Sequence, residues 1–207
     1  MVTSVMRMAP FRFGPDDNGL EVSPKEFDRG DFEEGWRYEL INGVLIVSPP
    51  AAEDERDPNG ELDYWLRLYR DTHPNGSCLD ATIAEQTLKT NGNRRRADRV
   101  IWIGLGRLPE PFETPTIVVE FVSKRKRDWE RDYETKRDEY RAMGVKEDWV
   151  IDRFRRTLTV FYGTGRADKR LYRERQTYTT PLLPGFELPL ARLLALADRW
   201  KKAKRKR

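Results

Sequence analysis

Two charged residues lie where the sequence otherwise predicts buried elements. Glu120 falls within the apolar run Thr116–Val122, and strand alternation places it on the same face as Val118. Lys136 falls on the apolar stripe of a helix predicted from about Asp128 to Met143. Because a carboxylate and an ammonium are each costly to bury alone, their placement predicts either an ion pair or a chemical site.

Two further carboxylates lie on predicted strands. Glu39 belongs to the run Arg37–Ile41, and Asp98 lies near the start of the run Ala97–Ile103. Carboxylates that converge at strand ends supply the oxygen ligands that Mg²⁺ and Mn²⁺ prefer. A nearby lysine can neutralise charge and orient or activate a water. This combination suits hydrolysis of phosphodiester bonds, with the metal ion as Lewis acid.

Each of these residues also has a purely structural interpretation. Asp98 follows three arginines and would then be a salt-bridged residue at a strand start. Glu120 and Lys136 would form an ion pair between strand and helix, and Glu39 would face solvent from a hairpin. Residue spacing alone leaves both interpretations open.

Several other kinds of site are excluded or disfavoured by residue type. One histidine and one cysteine cannot build a zinc cluster. His73 and Cys78 flank a Pro-Asn-Gly turn, which favours a surface loop over a catalytic pair. Gly104-Leu105-Gly106 does not continue into a phosphate-binding loop, and no serine has the small-residue elbow of a hydrolase nucleophile.

The elements that must position these residues are predicted from apolar periodicity and turn residues. Asn42-Gly43 between two β-rich runs predicts a type I′ hairpin. Ser23 before Pro24 predicts a helix start within a short helix or turn at Ser23–Glu34, and Ala51–Gly60 is predicted to be irregular. The remaining predicted elements are a hairpin partner strand at Val44–Val47, an amphipathic helix at Glu61–Asp71, strands at Thr82–Leu88, Trp149–Asp152 and Thr157–Tyr162, an edge strand at Tyr172–Thr179, a turn with an apolar docking segment at Pro184–Leu194, and a helix at Ala191–Trp200.

Composition predicts one globular α/β domain. The chain has 207 residues, and 11% aromatic residues argue against disorder despite 36% charged residues. It contains no apolar run long enough to span a membrane, and its first residues lack the apolar core of a signal peptide. Its single cysteine excludes an internal disulfide and is typical of a reducing compartment, so we expect the protein to be located in the cytoplasm.

The net charge of +4 is concentrated at the C-terminus. Residues 199–207 carry seven basic groups and no acidic one, which leaves the rest of the chain about three charges negative. Local basic patches are Arg94–Arg96 and Lys124–Arg127. Such segments can bind the phosphate backbone of DNA without reading sequence, although a basic terminus is often only a solvated end.

The motifs, taken in order, resemble a known family. YELINGVLIVSPP is followed by ADRVIWI, IVVEFVS, the spacing D-x-x-x-K-x-x-x-Y, GVKEDWVID and LLPGFELPL. This series, from about Trp36 to Leu190, resembles the Uma-two family of restriction endonucleases, within the PD-(D/E)xK superfamily. The resemblance implies a restriction-endonuclease-like α/β fold, a central mixed β-sheet flanked by helices, with the site at one end of its central strands.

The resemblance also implies a role for each charged residue. Asp98 matches the metal-binding aspartate, and Glu120 matches the acidic residue of the next strand. Our hypothesis adds the Phe121 carbonyl as a further ligand of Mg²⁺ or Mn²⁺. Lys136 matches the catalytic lysine, which in this family has moved from the strand to the following helix. Glu39 matches an additional acidic residue that would hold a second metal ion or a water.

Two positions depart from the superfamily pattern. The strand motif places a lysine two residues after Glu120, but Val122 is at that position. Lys136 would take the place of that lysine. Lys124 is a nearer alternative that we expect to face solvent. Ala97 precedes Asp98 in place of proline, and this changes little because proline is not a ligand.

The resulting expectation is a lead-in at 1–35, a nuclease-like domain at 36–198 and a basic tail at 199–207. The first hypothesis is that the protein is a Mg²⁺-dependent endonuclease acting on DNA, either as a monomer or as a homodimer. The second is a module that keeps the fold and binds nucleic acid or another partner without cutting. A metal-binding measurement discriminates between them, since the second hypothesis predicts salt-sensitive binding through the tail and no bound metal.

Overall fold

The computed structural model describes residues 11–123, 129–163 and 168–204, with the backbone alone for 129–133 and 201–204. In these residues the helices are α1 (Pro24–Arg29), α2 (Glu53–Thr72), α3 (Trp129–Ala142) and α4 (Leu190–Lys204). The strands are β1 (Arg12–Phe13), β2 (Asp31–Phe32), β3 (Arg37–Ile41), β4 (Val44–Ser48), β5 (Leu79–Lys89), β6 (Arg94–Ile103), β7 (Ile117–Phe121), β8 (Glu147–Asp152), β9 (Thr157–Tyr162), β10 (Lys169–Arg173), β11 (Thr177–Thr180) and β12 (Leu183–Pro189).

A central mixed sheet organises the molecule, as predicted. Its strands follow the order β10-β9-β8-β7-β6-β3-β4, and β5 pairs with β6 beside this path. Strands β7 and β8 are parallel, with Glu120 opposite Val150, whereas the other neighbours in this sheet are antiparallel. A parallel pair needs a crossover connection, and α3 lies in it. The predicted strand-helix-strand unit is therefore present.

Helices cover both faces of the sheet because the side chains of its strands alternate. On one face, Ile117 and Val119 of β7 join a core that includes Leu62 of α2 and Leu193 of α4. On the other face, Val118 packs in a second core that includes Tyr140 of α3. Glu120 is two residues from Val118 and shares the face that α3 covers.

The first hairpin forms as its turn residues predict. Asn42 and Gly43 have φ values of 52° and 79°, which are the two left-handed positions of a type I′ turn. Strands β3 and β4 pair from Arg37 opposite Ser48 to Ile41 opposite Val44. This pairing fixes which residues of β3 face α3.

The described part of the N-terminal lead-in packs against this hairpin. Ser23 accepts a hydrogen bond from the Glu26 N–H and caps α1, as predicted. Phe13 and Phe27 are buried with Leu40 and Leu45 of the hairpin. The described residues before 36 therefore form a small core together with the first hairpin.

The prediction that Ala51–Gly60 is irregular is wrong, because α2 begins at Glu53 and runs through Pro58. Three acidic residues occupy the first turn of α2, where the positive end of the helix dipole stabilises them. Beyond the proline, Leu62 and Leu66 are fully buried against the sheet. Tertiary packing thus outweighs the local signals of charge and proline.

Two predictions near the C-terminus need correction. The segment Tyr172–Thr179 is not one edge strand, since β10 and β11 belong to different sheets. The segment predicted as a turn with a docking segment forms β12, which pairs with β11 before α4 begins. None of the helices in the described ranges is long and apolar enough to cross a membrane.

Candidate active site

The candidate site lies where two strands diverge along one edge of β6. On this edge, β6 pairs with β7 through Arg99–Ile101 and with β3 through Arg94 alone. In the described strands, residues 95–98 have no ladder partner there, whereas β5 pairs with the opposite edge along almost its full length. The opening between β3 and β7 leaves room for side chains that face α3.

Lys136 reaches from α3 to carboxylates on both of these strands. Its Nζ lies 3.3 Å from Oε1 of Glu39 and 3.7 Å from Oε1 of Glu120. Lys136 is 9% exposed and Glu120 is 5% exposed, so both side chains are buried. The structure therefore brings together three of the predicted residues, from three separate elements.

Glu120 lies in the least polar part of this cluster. Burial, together with the negative charge of Asp98, raises the pKa of Glu120 to about 8, against the attraction of Lys136. Tyr140, one turn beyond Lys136 on α3, donates a hydrogen bond of 2.7 Å to Glu120 Oε1. Burial and the adjacent carboxylate raise the pKa of Tyr140 well above its usual value, so the phenol remains the donor.

Glu39 is held in its ionised form by the groups around it. Burial would raise the pKa of Glu39, but Lys136 and the backbone N–H of Arg96 outweigh that effect and lower it. The Arg96 N–H donates to Glu39 Oε1 at 3.0 Å. Glu39 thus faces the site and not the solvent, contrary to its structural interpretation as an exposed hairpin residue.

Asp98 is buried and has a contact on each carboxylate oxygen. The Arg37 guanidinium donates to Oδ1 at 2.7 Å, and the backbone N–H of Phe121 donates to Oδ2 at 2.7 Å. Because the N–H and C=O of one strand residue point to the same side, the Phe121 carbonyl also faces the Asp98 side of β7. Sequence spacing could not reveal the role of Arg37, which is 61 residues from Asp98.

A second polar cluster beside the site was missed by sequence reasoning. Arg153, which follows β8, donates to the Val122 carbonyl at 3.0 Å and to Glu55 Oε1 at 3.1 Å. Burial raises the pKa of Glu55 above its usual value, although Arg153 acts against this, and the charge of Asp98 adds to the increase. The helical start that carries Glu55 was hidden by the expectation of an irregular segment.

Helix α2 also supports the strand that carries Asp98. The side-chain amide of Asn59 donates to the Asp98 carbonyl at 2.9 Å, and its oxygen accepts from Arg99 at 2.6 Å. These contacts fix the backbone of β6 next to the candidate ligand. The segment 51–60 therefore has a positioning role that its sequence did not indicate.

The three arginines before Asp98 do not form an open basic patch, which corrects the expectation for Arg94–Arg96. Arg94 pairs with Asp28 at 2.7 Å, and Arg95 pairs with Glu139 at 2.8 Å. The Arg96 side chain donates to Glu85 at 2.9 Å. Carboxylates distant in sequence neutralise them. The other predicted patch, Lys124–Arg127, lies outside the described residues.

The donors available for a cation are carboxylate and carbonyl oxygens. In residues 11–123, 129–163 and 168–204, no three His, Cys, Asp or Glu side chains are grouped so that they could hold a metal ion. The candidate oxygen ligands are therefore two side-chain carboxylates, those of Asp98 and Glu120, and one backbone carbonyl, that of Phe121. Hard oxygen ligands of this kind fit Mg²⁺ or Mn²⁺, which keep several waters when bound to proteins.

A family model matches residues 24–191, with the description "Putative restriction endonuclease". The chain belongs to this family, Uma2. The match extends from α1 to the first residues of α4 and so contains the whole central sheet and all four predicted site residues. The resemblance stated from the sequence motifs is confirmed.

The fold of this Uma2 chain is also found in a solved structure. A crystal structure from Anabaena variabilis ATCC 29413, described as "a putative nuclease belonging to DUF820", matches with a TM-score of 0.67. The match covers 85% of this chain and 99% of that chain at 13% sequence identity, so it shows a shared fold. No curated protein matches the sequence.

Proposed function

We propose that this Uma2 protein is an endonuclease that hydrolyses phosphodiester bonds in DNA with the help of Mg²⁺ or Mn²⁺. The observation that carries this proposal is the position of Lys136, whose ammonium lies 3.3 Å and 3.7 Å from carboxylates on two strands of the sheet. The family's description as restriction endonucleases and the nuclease description of the structural neighbour support the same chemistry.

Asp98, Glu120 and the Phe121 carbonyl would hold the divalent cation. When bound, such an ion supplies Lewis-acid stabilisation of the phosphate oxygens. The protein's own contribution is to remove water and fix the ligands: Asp98 is 6% exposed, and Tyr140 fixes one oxygen of Glu120 through its hydrogen bond. Ligands held in this way lose little freedom when the ion binds.

Lys136 would position the attacking water and neutralise the negative charge that grows on the phosphate. A buried ammonium stabilises charge more strongly than an exposed one, because little solvent screens it. Glu39 contacts Lys136 and also accepts a hydrogen bond from the backbone N–H of Arg96, so it links the lysine to β6. Lys136 is therefore anchored on α3, and its ammonium still lies close to Glu120.

DNA is the proposed partner, bound in part by the basic residues 199–207. Helix α4 extends to Lys204, and Trp200 anchors it by donating a 2.9 Å hydrogen bond to Asp57 on α2. The tail thus starts from a fixed point on the domain. Lysines and arginines of this kind bind phosphates without reading base sequence.

The test is cleavage of single- and double-stranded DNA with Mg²⁺ or Mn²⁺ by the native protein and two variants. We expect Asp98→Asn and Lys136→Met to reduce the rate at least about 100-fold, because each removes a group that acts on the transition state. Circular dichroism confirms that each variant is folded.

The matched control is Lys169→Met, the same change at an exposed lysine on the edge strand β10. We expect its cleavage rate to equal that of the native protein. Equal cleavage by the native protein, Asp98→Asn and Lys136→Met would show that the activity lies elsewhere. Salt-sensitive DNA binding without cleavage or metal binding would support the non-cleaving module instead.

A further inference from the structure

Arg37 stands between two carboxylates at the candidate site. One NH₂ group donates to Asp98 Oδ1 at 2.7 Å, and its Nε lies 3.1 Å from Glu85 Oε2. The side chain of Arg37 is 19% exposed, whereas that of Asp98 is 9% exposed, so the guanidinium lies on the solvent side of the aspartate. Its two contacts use different parts of the planar group.

Glu85 is held in place by its backbone and by a second arginine. It has a φ of 55°, in the left-handed region that costs a non-glycine residue free energy. Its Oε2 also accepts from Arg96 Nε at 2.9 Å. Glu85 therefore retains an anchor of its own if the contact between Arg37 and Asp98 breaks.

With Oδ2 of Asp98 bound to the Phe121 N–H, Oδ1 is the oxygen that a cation can take with the least disruption of the sheet. Arg37 already donates to that oxygen. A divalent cation bound to Oδ1 would lie close to the guanidinium that donates to the same oxygen, and the two positive charges repel each other. Metal binding and the Arg37 contact therefore compete.

We propose that Arg37 binds the phosphate of the DNA substrate. Its guanidinium leaves Asp98 Oδ1 when a divalent cation binds there, and it then donates to a phosphate oxygen. This inference rests on the proposed nuclease function. Glu85 keeps the guanidinium beside the site through Nε, and the released NH₂ group needs a new acceptor. The planar guanidinium matches the geometry of a phosphate as well as that of a carboxylate, and the proposed substrate supplies the phosphate.

The test measures two quantities in Arg37→Met: the affinity for Mn²⁺ by calorimetry without DNA, and the rate of DNA cleavage at saturating Mn²⁺. We expect the dissociation constant for Mn²⁺ to fall about tenfold or more, because a competing charge-assisted hydrogen bond is gone. We expect the cleavage rate to fall at least about tenfold, because the phosphate contact is lost. Arg37→Gln repeats both measurements with a polar neutral side chain, should the methionine variant fail to fold.

The matched control is Arg96→Met, which removes the same charge from Glu85 but no contact from Asp98. We expect its Mn²⁺ affinity to change less than that of Arg37→Met. A loss of both affinity and cleavage in the Arg37 variants would indicate a structural role and overturn the inference, as would unchanged affinity. Tighter Mn²⁺ binding with undiminished cleavage would overturn the phosphate contact. If the native protein neither binds Mn²⁺ nor cleaves DNA, the proposed function fails first and this inference with it.

Discussion

Asp148 is a buried carboxyl group beneath α3 whose protonation affects the stability of the fold. It is 6% exposed on β8 and lines a cavity of about 20 Å³ with Arg137, Tyr140 and Phe161. Its Oδ1 has no hydrogen-bond partner among the described residues. Burial raises the pKa of Asp148 to about 7, against the attraction of Arg137 and Lys136. The cavity can hold about one water molecule, which would supply a partner.

Replacement of Asp148 by asparagine should stabilise the protein at high pH. Between the ordinary pKa of 3.8 and the folded value of about 7, the folded state holds a proton that the unfolded chain has lost. The free energy of unfolding therefore falls as pH rises through this range and levels off above it. We expect Asp148→Asn to gain on the order of 1–3 kcal/mol relative to the native protein between pH 5 and pH 8. Urea unfolding of both proteins at the two pH values measures this difference in the free energy of unfolding.

The control for this prediction is Asp168→Asn, at an exposed aspartate before β10. Its unfolding free energy should follow that of the native protein at both pH values. If the Asp148 variant also runs parallel to the native protein, the carboxyl does not change its protonation between these pH values.

Individual site residues were predictable where they broke a local pattern. Glu120 in an apolar strand and Lys136 on an apolar helix stripe were visible in this way, and the structure places their charged groups 3.7 Å apart. Arg37 and Glu55 broke no pattern, because a charged residue at a strand or helix start is ordinary. Only the folding of distant segments brings them to Asp98.

At the scale of elements, a polar network holds α3 over the sheet. Glu139 accepts hydrogen bonds from Arg95 at 2.8 and 2.9 Å, from Thr90 at 2.6 Å and from Asn93 at 2.8 Å. Arg95 is 1% exposed, so the ion pair is nearly free of solvent screening. The network joins the helix that carries Lys136 to the hairpin between β5 and β6.

Loss of this network should destabilise the protein. We expect Glu139→Gln to lower the free energy of unfolding by about 1–3 kcal/mol, because it leaves the buried Arg95 without its counter-charge. Chemical denaturation measures the change. Glu134→Gln is the control on the exposed face of the same helix, where we expect at most about 0.5 kcal/mol. Equal effects at both positions would show that Glu139 does not anchor the helix.

Elements with local signals were predicted well, and those without were not. Asn42-Gly43 and Ser23-Pro24 contain the turn and cap residues that their backbone requires, and both features formed. The start of α2 was missed because Pro58 and its charged neighbours indicate a loop, whereas the buried Leu62 and Leu66 decide the outcome. The separation of β10 from β11 depends on sheet pairing, which a single segment does not encode.

For the whole molecule, the distribution of charge is more informative than its sum. The net charge is +4, yet residues 199–207 carry seven basic groups and the remainder is negative. Within that remainder, Arg94–Arg96 do not form an open basic surface, because each pairs with a carboxylate in the fold. If the protein binds DNA as proposed, long-range attraction would come largely from segments such as the tail.

Neutralisation of the tail should weaken DNA binding and its dependence on salt. We expect a variant with all six lysines and arginines of residues 201–207 changed to glutamine to show a shallower plot of log affinity against log salt. Each lost phosphate contact lowers the slope by about 0.9. Fluorescence anisotropy with a duplex between roughly 50 and 200 mM salt provides the measurement. Trp200 is kept, since it anchors α4 to Asp57. An unchanged slope would exclude the tail from the interface.

The opening between β3 and β7 has a consequence for how the protein is made. Its residues come from distant parts of the chain: Arg37 and Asp98 are 61 residues apart, and Glu120 and Tyr140 are 20 apart. Pairings at such separation form late, because the entropy of closing long loops must be met first. During synthesis, a ribosome-bound chain that ends before α3 lacks Lys136 altogether. A complete set of site residues therefore requires a chain synthesised past α3, in which β3, β6 and β7 have come together.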